Sequence, residues 1–211
     1  MSSLIFSESV YCIPCATDLS RGHYPHVDLR IDPKRIDEIE ELKNEPLLKR
    51  LVALLNYQHG RLMTHGSAVS LNRPGVGEPE VPLPAESMGA SCWKSSYVNV
   101  SFVVFDQNTE RNYKLLYQAY RSERTTPVCF EVVPAHFCTP EERQQEQVSG
   151  DTNGFICLIW ATGWGNSRTE ADNSWSASVH DLISFFTDNS LDCVKETGGN
   201  TVSQYMLTPP E

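Results

Sequence analysis

The sequence predicts an α/β fold, a mixed β-sheet packed by three main helices near residues 33–57, 109–120 and 177–187. Val98, Val100, Phe102 and Val104 alternate with polar neighbours, the period-two pattern of a half-buried strand. Phe155–Thr162 is continuously apolar, as in a central strand covered on both faces. Val179, Leu182, Ile183 and Phe186 recur at i, i+3, i+4 and i+7, one stripe of an amphipathic helix. There is no internal repeat, so residues 1–194 read as one domain and 195–211 as a loosely attached tail.

Taken in order, Asp32-Pro33 is a helix start, an N-cap acceptor followed by proline at the first helical position. Ile36, Ile39 and Leu42 continue an apolar stripe to Asn44-Glu45-Pro46, where proline demands a break or kink. Leu48, Leu51, Val52 and Leu55 resume helical spacing until Gln58-His59-Gly60, and Arg61–Ser70 reads as a strand. Residues 72–91 carry four prolines and little periodicity, which predicts a long internal loop. Tyr113, Leu116, Tyr117 and Tyr120 share a helical face, and Val128–Val133 is a strand expected to end at Pro134. Thr139-Pro140-Glu141-Glu142 has capping-box spacing and opens a short helix to about residue 147. Ser176 or Ser178 is the expected N-cap of the last helix, and Gly163-Trp164-Gly165 a strand end with an aromatic plug.

The 211 residues can bury a real core, and 40% hydrophobic with 21% charged residues is ordinary for a globular protein. The first residues lack the basic and apolar regions of a secretory signal, and no apolar run is long enough to span a bilayer. The expectation is therefore a cytoplasmic protein whose seven cysteines are reduced thiols or metal ligands. With 17 basic and 27 acidic residues the net charge is −10, opposite to that of a free nucleic-acid binder. Either RNA is not the ligand or a partner supplies the positive field.

Two blocks resemble the Schlafen family of AlbA-type lobes. His26-Val27-Asp28-Leu29-Arg30 resembles that family's His-Val-Glu strand, Ala53-Leu54-Leu55-Asn56 its helix end, and His59-Gly60 its Gly-Gly turn. Further on, Tyr120-Arg121-Ser122-Glu123-Arg124-Thr125-Thr126 is similar to an Arg-Glu-Arg-Thr segment of Schlafen amino-terminal lobes. The resemblance implies a single Schlafen-like lobe acting on small-RNA precursors or transfer RNA, as in the nematode complex that trims piRNA precursors. It also implies a hetero-oligomer with other Schlafen-like subunits, RNA being met through the assembled complex.

The family's carboxylate pocket maps onto His23, Asp28 and the neighbourhood of Ser67, so only Asp28 keeps its acid. Mg²⁺ or Mn²⁺ needs several oxygen ligands beside a scissile phosphate. Asp28 with His23 is then a degenerate catalytic pocket that takes metal only in a composite site with a partner. The plainer reading makes Asp28 a surface residue. The same family carries a structural zinc: His136-Phe137-Cys138 resembles one half of its site, while its Cys-Cys pair falls at Gly165-Asn166 and is absent. Cys12-Ile13-Pro14-Cys15 supplies a candidate second half, provided the first strand lies beside the later one. Cys129 and Cys157 read as core.

Other constellations are weaker. His23, His26, His59 and His65 invite a metal-free acid–base reading, but no spacing imposes the geometry. Trp93, Trp160, Trp164 and Trp175 can stack bases, yet tryptophans usually fill cores or interfaces. No nucleophile elbow, P-loop or dinucleotide fingerprint is present. The alternative function is an acidic protein-interaction or inhibitor domain with no RNA role.

Overall fold

The computed structural model describes residues 2–13, 27–57, 60–71, 89–124, 126–139, 142, 151–188, 191, 194, 199 and 201–202. His23, His26, Cys15, His59, Cys193 and most of the expected 72–91 loop lie outside them. Six strands form one mixed sheet: β1 Ser3–Phe6, β2 Tyr11–Ile13, β3 Leu62–Leu71, β4 Cys92–Phe102, β5 Val128–Phe137 and β6 Gly154–Gly165. The order is β1-β5-β6-β4-β3, with β2 also pairing β5. β1 and β2 run parallel to β5, and the remaining pairs are antiparallel. The main helices are α1 Pro46–Leu55, α2 Glu110–Glu123 and α3 Arg168–Asp188. No described helix is long and apolar enough to cross a membrane.

The first expected helix divides where proline required. Asp32 accepts a hydrogen bond from the Lys34 amide and opens a 3₁₀ turn, Pro33–Glu38, followed by a second, Glu40–Leu42. The α-helix begins only at Pro46, which fits the first turn because its missing N–H has no partner there anyway. On α2, capped by Thr109, the expected stripe of Tyr113, Leu116, Tyr117 and Tyr120 is buried. Tyr117 and Tyr120 meet Phe130 edge-on or tilted, and Tyr120 also meets Phe185 of α3.

Four expectations change. β5 continues through Pro134, because on that side β1 has ended at the partner of Val132 and β2 starts only at the partner of Ala135. A residue without an N–H fits that gap. β4 begins earlier, at Cys92, and is nearly all buried rather than half-buried, its polar Ser95, Asn99 and Ser101 included. α3 begins at Arg168, with Ser167 accepting from the Glu170 amide. Ser178 is no cap; it turns inward to the carbonyls of Thr162 and Ser174. In the tail, Val202 is fully buried and donates its amide to the Val103 carbonyl.

The sheet has two unlike faces. Leu48, Leu51 and Leu55 of α1, the α2 stripe, and Val179 and Leu182 of α3 share one core with alternate strand residues such as Val98, Val100, Phe130 and Ile159. Gly163 lets α3 approach β6 so closely that a Cβ there would overlap the backbone of Trp175 and Ala171. The opposite face holds a smaller cluster with Met63, Val133, Phe137, Ile156 and Leu158, and no residue of the three helices belongs to it.

Candidate functional site

Asp28 lies beside the turn joining α1 to β3. It is 8% exposed, and its Oδ1 accepts from the Arg30 amide at 2.9 Å. The Arg30 guanidinium then reaches the carbonyls of Gly60 at 2.8 Å, Leu62 at 3.1 Å and Tyr57 at 3.4 Å. A cation at the carboxyl end of a helix satisfies carbonyls that lack amide partners and complements the dipole. Burial draws Arg30 below its usual value, and the Asp28 charge offsets part of that. Asn56 completes the corner, binding Thr64 through its side-chain oxygen to the amide and its nitrogen to the hydroxyl.

Arg30 thus brings Asp28–Arg30 to the end of α1 and to Gly60, and among the described residues no group of three His, Cys, Asp or Glu at this corner could hold a metal ion. Asp28 is one carboxylate facing a guanidinium, and a metal cage needs several oxygens without a competing cation. Ser67 sits on β3 opposite Val98 and supplies no acid. His65 lies at the β3 bulge, and its Nε2 is 2.7 Å from Ser101 Oγ, both residues being buried.

The second corner joins the two halves of the expected cysteine–histidine set. β2 does lie beside β5, with Cys12 in register with His136. Burial pushes the Cys12 thiol up, and a hydrogen bond with Cys138 offsets part of the rise. The His136 ring is engaged elsewhere. Nδ1 lies 2.7 Å from the Asp151 carbonyl, and Nε2 lies 3.2 Å from Glu142. Glu142 also accepts from the Thr139 amide at 2.8 Å while Thr139 accepts from Glu142, the reciprocal capping box expected there. Among the described residues no three of His, Cys, Asp or Glu converge as a metal site. Cys129 is pushed up to about 11 by burial, and burial also raises the Cys157 thiol well above its usual value, as expected of core thiols.

The Arg124–Thr126 block holds α2 against α3. Asp181 takes Arg124 at 3.0 Å, the Thr126 hydroxyl and the Tyr120 hydroxyl. Trp175 is core: its Nε1 donates to Ser96, and the Lys94 ammonium sits 3.7 Å from its ring centre. Trp164 pairs with Trp93 across β4 and β6. No motif marks Glu131, which accepts the Trp160 indole N–H at 2.8 Å, or Lys94, buried between Glu45 at 3.0 Å and Asp172 at 2.7 Å. A period-two pattern places such residues on a face without naming their cross-strand partners. Compared with protein-family models, with curated proteins and with solved structures, the chain matches none of them.

Proposed function

We propose that this chain is a Schlafen-like subunit of a hetero-oligomeric RNA-processing endoribonuclease, with a structural role and with cleavage left to carboxylates of partner subunits. One observation carries the reading: the single acid kept from the motif is tied to Arg30, whose guanidinium clamps the α1–β3 turn. Asp28 therefore organises the corner instead of holding a metal ion. The net charge of −10 fits a subunit that meets RNA through a more basic partner. In this reading Cys12, Cys15, His136 and Cys138 hold a structural zinc. The contact of Cys12 with Cys138 supports it, and zinc binding requires His136 to exchange Glu142 for the metal.

The isolated chain is expected not to cut RNA oligonucleotides with Mg²⁺ or Mn²⁺. Metal-dependent cleavage by the pure chain, lost in Asp28→Asn, overturns the reading. The native protein is expected in an assembly larger than a monomer, and a monomer on gel filtration of a native extract counts equally against it. Elemental analysis tests the zinc: about one per chain is expected, lost when Cys12 and Cys15 become Ser and kept in Cys129→Ser.

A second reading, an acidic protein-interaction domain with no RNA role, is favoured by two large apolar residues at the same corner. Ile31 is 69% and Tyr57 is 62% exposed. Recovery of the native partner separates the two readings, because only the first requires Schlafen-like lobes with an intact acidic pocket.

A further inference from the structure

The two edges of the sheet are guarded unequally. At one edge β1 and β2 supply only four and three residues, and the exposed Glu8 lies in the break between them. At the other, β3 pairs with β4 alone among the described strands and runs for ten residues, Leu62–Leu71. Those residues include no Asp, Glu, Lys or Arg and no proline. Folded proteins blunt an open edge with short strands, charge, proline or a bulge, because such an edge is a template for another strand. The one such device on β3 is the bulge between Thr64 and Gly66. Before the bulge the chain covers its own edge. Arg30 takes the Leu62 carbonyl at 3.1 Å, and Asn56 Oδ1 accepts from the Thr64 amide at 3.0 Å. Beyond it, Gly66 is exposed and Ser67–Leu71 are half-buried. Alternate residues of an antiparallel strand point N–H and C=O away from their partner strand. Among the described residues no backbone group meets the outer side of Gly66–Leu71.

Charge selects the occupant of that edge. Two copies that each carry a net charge of −10 repel, so they meet best where both are uncharged. β3 offers such a strip. Behind it β4 carries a single charged residue, Lys94, 6% exposed and held between Glu45 and Asp172. A basic partner gains nothing from a neutral strand and is drawn to the acidic surface instead. An antiparallel pair of identical strands is also self-complementary, since about a two-fold axis each copy gives the other the same donors and acceptors. Gly66–Leu71 is a short contact, so the pairing is weak and depends on concentration.

We propose that Gly66–Leu71 of β3 pairs antiparallel with the same segment of a second copy of this chain, joining the two sheets into one. The inference concerns the chain alone and holds with or without an RNA role. It is tested by sedimentation velocity of the purified full chain from about 1 to about 200 µM, where a monomer–dimer equilibrium with a Kd of about 20 µM is expected. Salt screens the repulsion between the copies, so raising it from about 0.05 to about 0.5 M is expected to tighten the dimer about threefold or more. Ser70→Lys sets a charge on the pairing edge and is expected to weaken the dimer about tenfold or more. Ser9→Lys, the same charge change in the break at the other edge, is expected not to weaken it. Amide exchange across Gly66–Leu71 is expected to slow as the dimer forms, which reads the contact in the unaltered chain. A chain that stays monomeric at every concentration, or a dimer loosened by salt, overturns the pairing. Equal weakening by Ser9→Lys and Ser70→Lys, or protection gained elsewhere and not at Gly66–Leu71, overturns it as well.

Discussion

The two faces of the sheet handle buried polarity differently. On the helix-covered face polar groups tie strands to helices: Lys94 of β4 binds Glu45 and Asp172, Ser96 accepts from Trp175, and the Thr162 carbonyl accepts from Ser178. On the opposite face Ser95 meets Thr162 and His65 meets Ser101 from strand to strand, and among the described residues Asn99 Oδ1 and Trp164 Nε1 are sealed from solvent without a hydrogen-bond partner. Each tie on the first face fixes a helix in place, so its loss releases packing. The ties on the second face run between strands, so their loss weakens the sheet without releasing a helix.

The largest expected contrast is between two glycines. Gly163→Ala forces α3 off β6 and is expected to cost about 3 kcal/mol or more, by overpacking against backbone that cannot yield. Gly66→Ala on β3 places its Cβ 3.6 Å from the Asn99 side-chain nitrogen, an ordinary contact, and is expected to change stability by under about 0.5 kcal/mol. Urea unfolding of both variants checks the pair, and equal losses would erase the distinction between the faces.

A second pair asks the same of polar groups. Lys94→Ala strands Glu45 and removes the cation from Trp175, with an expected loss of about 2 to 3 kcal/mol. That lies below the range for fully buried pairs because Asp172 is 56% exposed. Asn99→Leu keeps the branching and heavy-atom count, removes an oxygen that has no donor among the described residues, and is expected to shift stability by less than about 1 kcal/mol.

The smallest effect lies at the rim of β5. The Thr139 amide, then His136, holds the Glu142 carboxyl below its usual value. A depressed folded value means stability present above the ordinary carboxylate range, near pH 4.3, and lost as pH falls through the folded value. Glu142→Gln is therefore expected to lower the urea midpoint slightly at pH 7 and to match the parent at pH 2. A difference that persists in acid would assign the effect to packing instead of charge.

How far the sequence foretold these faces depends on whether a signal is local. The break at Pro46 and the stripe of Tyr113, Leu116, Tyr117 and Tyr120 follow from covalent geometry and helical period, and both were legible. The strand through Pro134 was not, because tolerance of that proline depends on a gap between β1 and β2 far away in sequence. The start of α3 was misplaced because Ser178 looks like a cap until Gly163 brings the helix against β6. At the candidate sites, Cys12 meets Cys138 because β2 pairs with β5, a pairing between distant segments on which the expected cysteine–histidine set depended. The turning of His136 to Glu142 comes from the path of the chain just after β5, and the Trp160–Glu131 bond from cross-strand register, which one sequence does not display.

The pairing of β1 with β5 also bears on how the chain is made. Ser3 finds its partner at Cys129. At about 5 to 20 residues per second of synthesis, the first strand waits roughly 6 to 25 seconds for that partner to be made. During that interval Ile5 and Phe6 have no sheet to join. β1 is therefore among the last strands to be placed, and anything that seizes it before β5 is made competes directly with closure of this edge.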